Sequence, residues 1–205
     1  MTNYALSATN LTAGQSVMLE TSSLPGGVLA LMASSIASNA PKYLAMTDVL
    51  TDAGLPLATV TASGTTPGIA RTAGTSQYLT GVATSGAQTV TTKMLWNFNI
   101  SASYVAGATI PVVVQCVVPT ATDVTASTTT MTVAAYSVSP AGVETSLTVS
   151  AAQQIPITTA AALTFSVTGT GLVGGQRMAL ELTMAVTTIA GGASNGEVLS
   201  VNYLA

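Results

Sequence analysis

The chain has 205 residues, of which 5% are charged, with a formal net charge of -3 and no histidine. Soluble domains usually carry about 25% charged residues, so a free monomer of this composition would cover itself with Thr, Ser, Asn and Gln, with little charge repulsion to keep copies apart. The four basic residues, Lys42, Arg71, Lys93 and Arg177, are too few and too scattered to neutralise a nucleic-acid backbone. No basic amphipathic stretch or long apolar run suits a membrane.

Residues 1–53 carry the least regular pattern. Met1 to Ala5 has no basic region and no early apolar run, so no signal peptide is expected. Asn10-Leu11-Thr12 and Asn99-Ile100-Ser101 match the glycosylation acceptor pattern, and without a secretory signal they are read as chance matches. Tyr4 to Ala8 and Ser16 to Glu20 suit short strands, Pro25-Gly26-Gly27 suits a turn, and Val28 to Ala37 suits a short helix or a buried strand. Leu55 to Thr61 reads as a strand, and 69–91 as short strands with exposed loops, or an extended arm.

From Lys93 the pattern is plainly β. Met94, Trp96, Phe98 and Ile100 alternate with Leu95, Asn97 and Asn99, a period of two that puts the large side chains on one face. After a turn at Ala106-Gly107, Ile110, Val112, Val114, Cys116 and Val118 share one face, with Val113, Gln115 and Val117 on the other. Apolar residues on both faces predict a strand covered on both sides, within the fold or by a neighbouring subunit. Thr128 to Val138 reads as a strand, Ser139 to Gly142 as a hairpin connection, and Val143, Thr145, Leu147 and Val149 as its return. Leu163, Phe165 and Val167 then alternate, followed by Met178, Leu180, Leu182, Met184 and Val186, and finally Leu199, Val201 and Tyr203. Gly174-Gly175 and Gly191-Gly192 mark turns.

Seven short strands with Gly- and Pro-marked turns predict an all-β chain, a β-sandwich or jelly roll, over residues 91–205. Residues 1–90 are expected to form a less regular N-terminal arm or small β-rich subdomain. The expected core anchors are Trp96, Phe98, Phe165, Leu180 and Leu182, and the expected interface residues are Val113, Val117, Tyr104 and Tyr136.

Without histidine a Ser-His-Asp or Cys-His site cannot be built, and one cysteine without histidine excludes the common structural zinc sites. A carboxylate pair such as Asp48 and Asp52, or calcium around Asp123 or Asp48 and Asp52, stays open in principle, but the seven acidic residues form no recognisable constellation. The expectation is therefore a protein that is not an enzyme and carries no cofactor and no metal. Cys116, inside an apolar strand, reads as a small core residue. A carbohydrate-binding module is the competing expectation, with Asn97, Asn99, Gln115 or Tyr136 as polar and aromatic contacts.

The run from Trp96 to Val112, WNFNISASYVAGATIPV, resembles a recurrent pattern in small virion-associated proteins of tailed bacteriophages. The Thr-rich strand ending near Tyr136, Ala152-Gln153-Gln154, and Phe165 to Leu172 with Gly174-Gly175 fit the same pattern, which spans roughly 91–188. What the resemblance implies is a β-sandwich decoration or cement protein of a phage head. Its partners would be other copies of itself, as in a trimer, and the major capsid protein or other virion subunits. It would reside in the virion after assembly in the host cytoplasm. The charge depletion departs from that pattern and leaves capsid, tail and other shell positions open. The N-terminal segment, with its weak core pattern, is expected to make intersubunit or capsid contacts.

Overall fold

The computed structural model describes residues 41–51, 68–71, 77–80, 84–85, 87–102, 104–120, 122–190 and 192–204. The strands expected within 1–37 and at Leu55 to Thr61 lie outside the described residues, as does Asp52. The elements are β1 (Lys42–Tyr43), β2 (Gly68–Arg71), β3 (Gln77–Thr80), β4 (Thr84–Ser85), β5 (Thr89–Asn99), β6 (Thr109–Val117), β7 (Thr130–Val138), β8 (Glu144–Val149), β9 (Gln153–Gln154), β10 (Ala161–Thr168), β11 (Arg177–Thr187), β12 (Ala193–Ser194) and β13 (Glu197–Tyr203). Among the described residues the helical elements are 3-10 turns at Met46–Asp48 and Ala126–Thr128.

The chain forms an all-β sandwich made by curling one antiparallel sheet, in the order β2-β3-β13-β6-β10-β8-β7-β11-β5. One layer holds β3, β13, β6 and β10; the other holds β7, β11 and β5. β8 turns the corner between them. Ala135 and Val138 of β7 pair with its Leu147 and Glu144, while Val167 and Thr168 of β10 pair with its Val149 and Thr148.

Period-two alternation supplies the core. β11 directs Met178, Leu180, Leu182, Met184 and Val186 inward, beside Met94 and Trp96 of β5 and Met131, Val133 and Ala135 of β7. The facing layer supplies Ile110, Val112, Val114 and Cys116 of β6, Leu163, Phe165 and Val167 of β10, and Val198, Val201 and Tyr203 of β13. In β13 the expected alternation of Leu199, Val201 and Tyr203 breaks. A bulge between Val198 and Ser200 inserts an extra residue, so Val198 takes the inward position and Leu199 is half-exposed.

The seam opposite β8 is closed by residues 42–50. β1 pairs with β13, Lys42 opposite Tyr203 and Tyr43 opposite Asn202. Eight residues on, the Leu50 amide donates to the Leu95 carbonyl of β5 at 2.8 Å and the Leu95 amide donates back at 3.0 Å. One strap thus satisfies backbone groups on both layers, as an exposed sheet edge requires. Leu44 and Val49 are buried beneath it, and the Trp96 indole N–H donates to the Ala45 carbonyl at 3.0 Å. Phe98 and Tyr203 meet across the same seam with ring centroids 4.5 Å apart. The boundary expected at residue 90 therefore falls within β5, two residues after its start, and β1, β2 and β3 pair into the sheet of the main domain.

Cys116 is buried on the inward face of β6, and burial pushes its thiol up to about 12. The native chain is expected to resist iodoacetamide at pH 8 and to react promptly once unfolded in urea, as mass spectrometry would read. Because the folded thiol ionises at higher pH than the unfolded one, this group contributes stability that is fully present below pH ~9 and lost as pH rises toward about 12.

Candidate functional site

Each layer presents one outer face, and the two differ in charge. On the outer face of the β13–β6–β10 layer, the register lines up Tyr43, Asn202, Val113 and Thr164 in a row across four strands. Gln115 lies in the next row, between Ser200 and Ala162. Tyr43 is 71% exposed, Thr164 and Ala162 are exposed, and Val113, Gln115 and Asn202 are half-buried. On β13, β6 and β10 the charged residue of this face is Glu197, at the end of β13 opposite Val117, with its carboxyl raised by desolvation.

The outer face of the other layer carries the charges. Lys93 and Glu181 form an ion pair at 3.4 Å across β5 and β11. One row further, Asn97, Ala179 and Tyr136 stand side by side on β5, β11 and β7. Ala179 is buried between its larger neighbours. At the end of the layer, Asn99, Val138, Ser139, Pro140, Gly175, Gln176 and Arg177 line a pocket of about 270 Å³.

The residues singled out from the sequence divide as follows. Trp96, Phe165, Leu180 and Leu182 are fully buried, and Phe98 is partly buried against the same core. Of the expected interface residues, Val113 and Tyr136 are half-buried on opposite outer faces. Val117 and Tyr104 are buried inside the chain and offer no surface to a partner. Tyr104 is held by its hydroxyl donating to the Ala108 carbonyl at 2.6 Å, and burial raises its phenol. Asn97, Asn99 and Tyr136 share one face, whereas Gln115 lies on the other, so the four do not form one site. Asp48 and Asp123 sit in separate turns, and among the described residues no group of three or more His, Cys, Asp or Glu is placed to hold a metal. No described helix is long and apolar enough to cross a membrane.

The pocket was hidden in the sequence because Ser139 to Gly142 and Gly174-Gly175 both read as ordinary turns. Only the register, which sets Arg177 between Asn99 and Val138, brings the two turns together. The available signal was Arg177 itself, a scarce cation two residues after Gly175.

Neither family models nor curated proteins yield a match to this chain. Among solved structures, one described as "Structural basis for the promiscuous specificity of the carbohydrate-binding modules from the beta-sandwich super family" aligns with a TM-score of 0.45 and 15% identity, covering 78% of this chain. The chain spans 58% of that structure's length.

Proposed function

We propose that this chain is a non-enzymatic structural subunit of a bacteriophage particle, a decoration or cement protein that stabilises the head by subunit contacts. The observation that carries this reading is the nearly uncharged outer face of the β13–β6–β10 layer, with its row of Tyr43, Asn202, Val113 and Thr164. Interface cores are depleted in Lys, Glu and Asp and enriched in Tyr, and a face of this kind gains little from standing alone in water. The resemblance of residues 91–188 to virion-associated proteins supports the same role.

Val113→Lys tests it. The side chain is half-buried, so its aliphatic stem can lie along the sheet with the ammonium in water and the fold intact. The wild-type chain is expected to sediment as an oligomer or with phage heads. The variant is expected to melt with the wild type and to remain a free monomer. A wild-type chain that is monomeric and absent from purified particles would overturn the proposal.

A second reading, a carbohydrate-binding module, draws on the opposite layer, where Tyr136 and Asn97 lie one row from the residues that line the end pocket.

A further inference from the structure

The pocket at the end of the β5–β11–β7 layer is walled by two turns that are each tied down by hydrogen bonds. On one side the Ser139 amide donates to the Val143 carbonyl at 2.9 Å, the Gly142 amide donates to the Ser139 carbonyl at 2.8 Å, and the Val143 amide donates to Ser139 Oγ at 3.0 Å. On the other the Ile100 amide donates to the Gln176 carbonyl at 2.9 Å, the Gly175 amide to the Ile100 carbonyl at 3.1 Å, and the Val173 amide to Gln176 Oε1 at 3.1 Å. Little reorganisation is needed to receive a ligand, which favours affinity.

These bonds also decide what the pocket offers. With Gln176 Oε1 and Ser139 Oγ already accepting from backbone amides, the Gln176 amide N–H₂ and the Ser139 hydroxyl hydrogen remain as donors. Asn99 adds an exposed side-chain amide. Arg177 is exposed, and its guanidinium has no ion-pair or hydrogen-bond partner among the described residues. Glu144 lies beyond Val138, two strand spacings or about 10 Å from Arg177 along the sheet. The set is rich in donors and carries a free planar guanidinium, the group best matched to a carboxylate through two parallel hydrogen bonds. Pro140, exposed at the rim, supplies an apolar wall for a C–H face. The volume, about 270 Å³, is at the small end for ligand pockets and suits a single sugar ring.

From this geometry we infer that the pocket binds a hexuronic acid unit of an acidic glycan, its carboxylate on Arg177 and its hydroxyls on Asn99, Gln176 and Ser139. The inference rests on the carbohydrate-binding reading and is independent of the assembly face on the other layer.

The test is NMR titration of the full chain with a hexuronic acid trisaccharide, the neutral hexose trisaccharide and inorganic phosphate, each against wild type and Arg177→Gln. The acidic trisaccharide is expected to bind, to shift the side-chain amide signals of Asn99 and Gln176, and to bind roughly 10- to 100-fold more weakly to the variant. Arg177 is exposed, so the variant's unchanged melting curve controls for folding. Equal binding of both trisaccharides, or acidic binding unmoved by Arg177→Gln, would overturn the inference while leaving the carbohydrate reading in place. Binding of phosphate without either sugar, or of nothing, would overturn both.

Discussion

Trp96→Ala is expected to remove about 3–5 kcal/mol of stability, a fifth or more of the roughly 5–15 kcal/mol that a domain usually has. Trp96 is 1% exposed and lies on β5 directly opposite Leu180. Truncation would leave a void among Met94, Leu180 and the residues facing them, and a close-packed interior closes such voids only in part. The loss reaches beyond the cavity. The indole N–H is also the side-chain tie to the strap at Ala45, so its removal loosens residues 42–50, which hold the two layers together along one seam. Trp96→Phe separates the two effects. It retains most of the apolar contact, forfeits the hydrogen bond, and is expected to cost about 1–3 kcal/mol. Urea denaturation followed by circular dichroism measures both. Hydrogen exchange at the Leu50 and Leu95 amides, which bond each other's carbonyls, reports whether the strap opens before the sandwich does. A midpoint for Trp96→Ala within experimental error of wild type would show that the indole does not anchor this core.

The second large effect is expected at a glycine with no left-handed backbone. Gly174→Ala would place a methyl group against the Ala102 carbonyl, with the Ala102 carbonyl carbon 2.9 Å and the Ser101 oxygen 3.1 Å away. The obstructing atoms are backbone, and they are held. The Gly175 amide donates to the carbonyls of Ile100 and Ser101 at 3.1 and 3.3 Å, and the Tyr104 amide donates to the Ser101 carbonyl at 3.0 Å. Relief requires shifting this hydrogen-bonded turn, and overpacking of this sort costs about 1–3 kcal/mol or more. Gly169→Ala is the informative comparison. There the new methyl group meets the Tyr104 hydroxyl, the far end of a side chain, which can swing aside at the expense of its bond to the Ala108 carbonyl. The expected order of melting temperatures is wild type, Gly169→Ala, Gly174→Ala. Reversal of the last two would mean that the 101–102 turn yields more readily than Tyr104.

Strand positions and inward faces were legible in the sequence wherever a strand has one face in the core and one in water. The alternations through Trp96, Phe165 and Leu180 are of this kind, because the side-chain period of a strand and the need to bury large apolar groups point to the same residues. They failed where one residue broke the period. The bulge in β13 moved Val198 inward in place of Leu199, and no local composition marks it, since both neighbours are apolar. The sequence was also misleading at Val117 and Tyr104. An apolar residue on the second face of a strand, or an aromatic in a Gly-rich loop, looks the same whether its cover comes from a partner or from the chain itself, and here the chain supplies it.

The amino-acid sequence alone determined that the chain is built of strands, that its chemistry excludes histidine-based catalysis and common zinc sites, and that its surface is short of charge. Those properties depend on residue type and near-neighbour spacing. The tertiary structure alone decided that residues 42–50 bridge both layers, that the uncharged row and the Arg177 pocket lie on opposite layers, and that Gln115 is parted from Asn97, Asn99 and Tyr136. Each of these is set by backbone pairing between segments far apart in the chain, and the hydrogen bonds that choose a partner strand are made by main-chain groups that every residue shares.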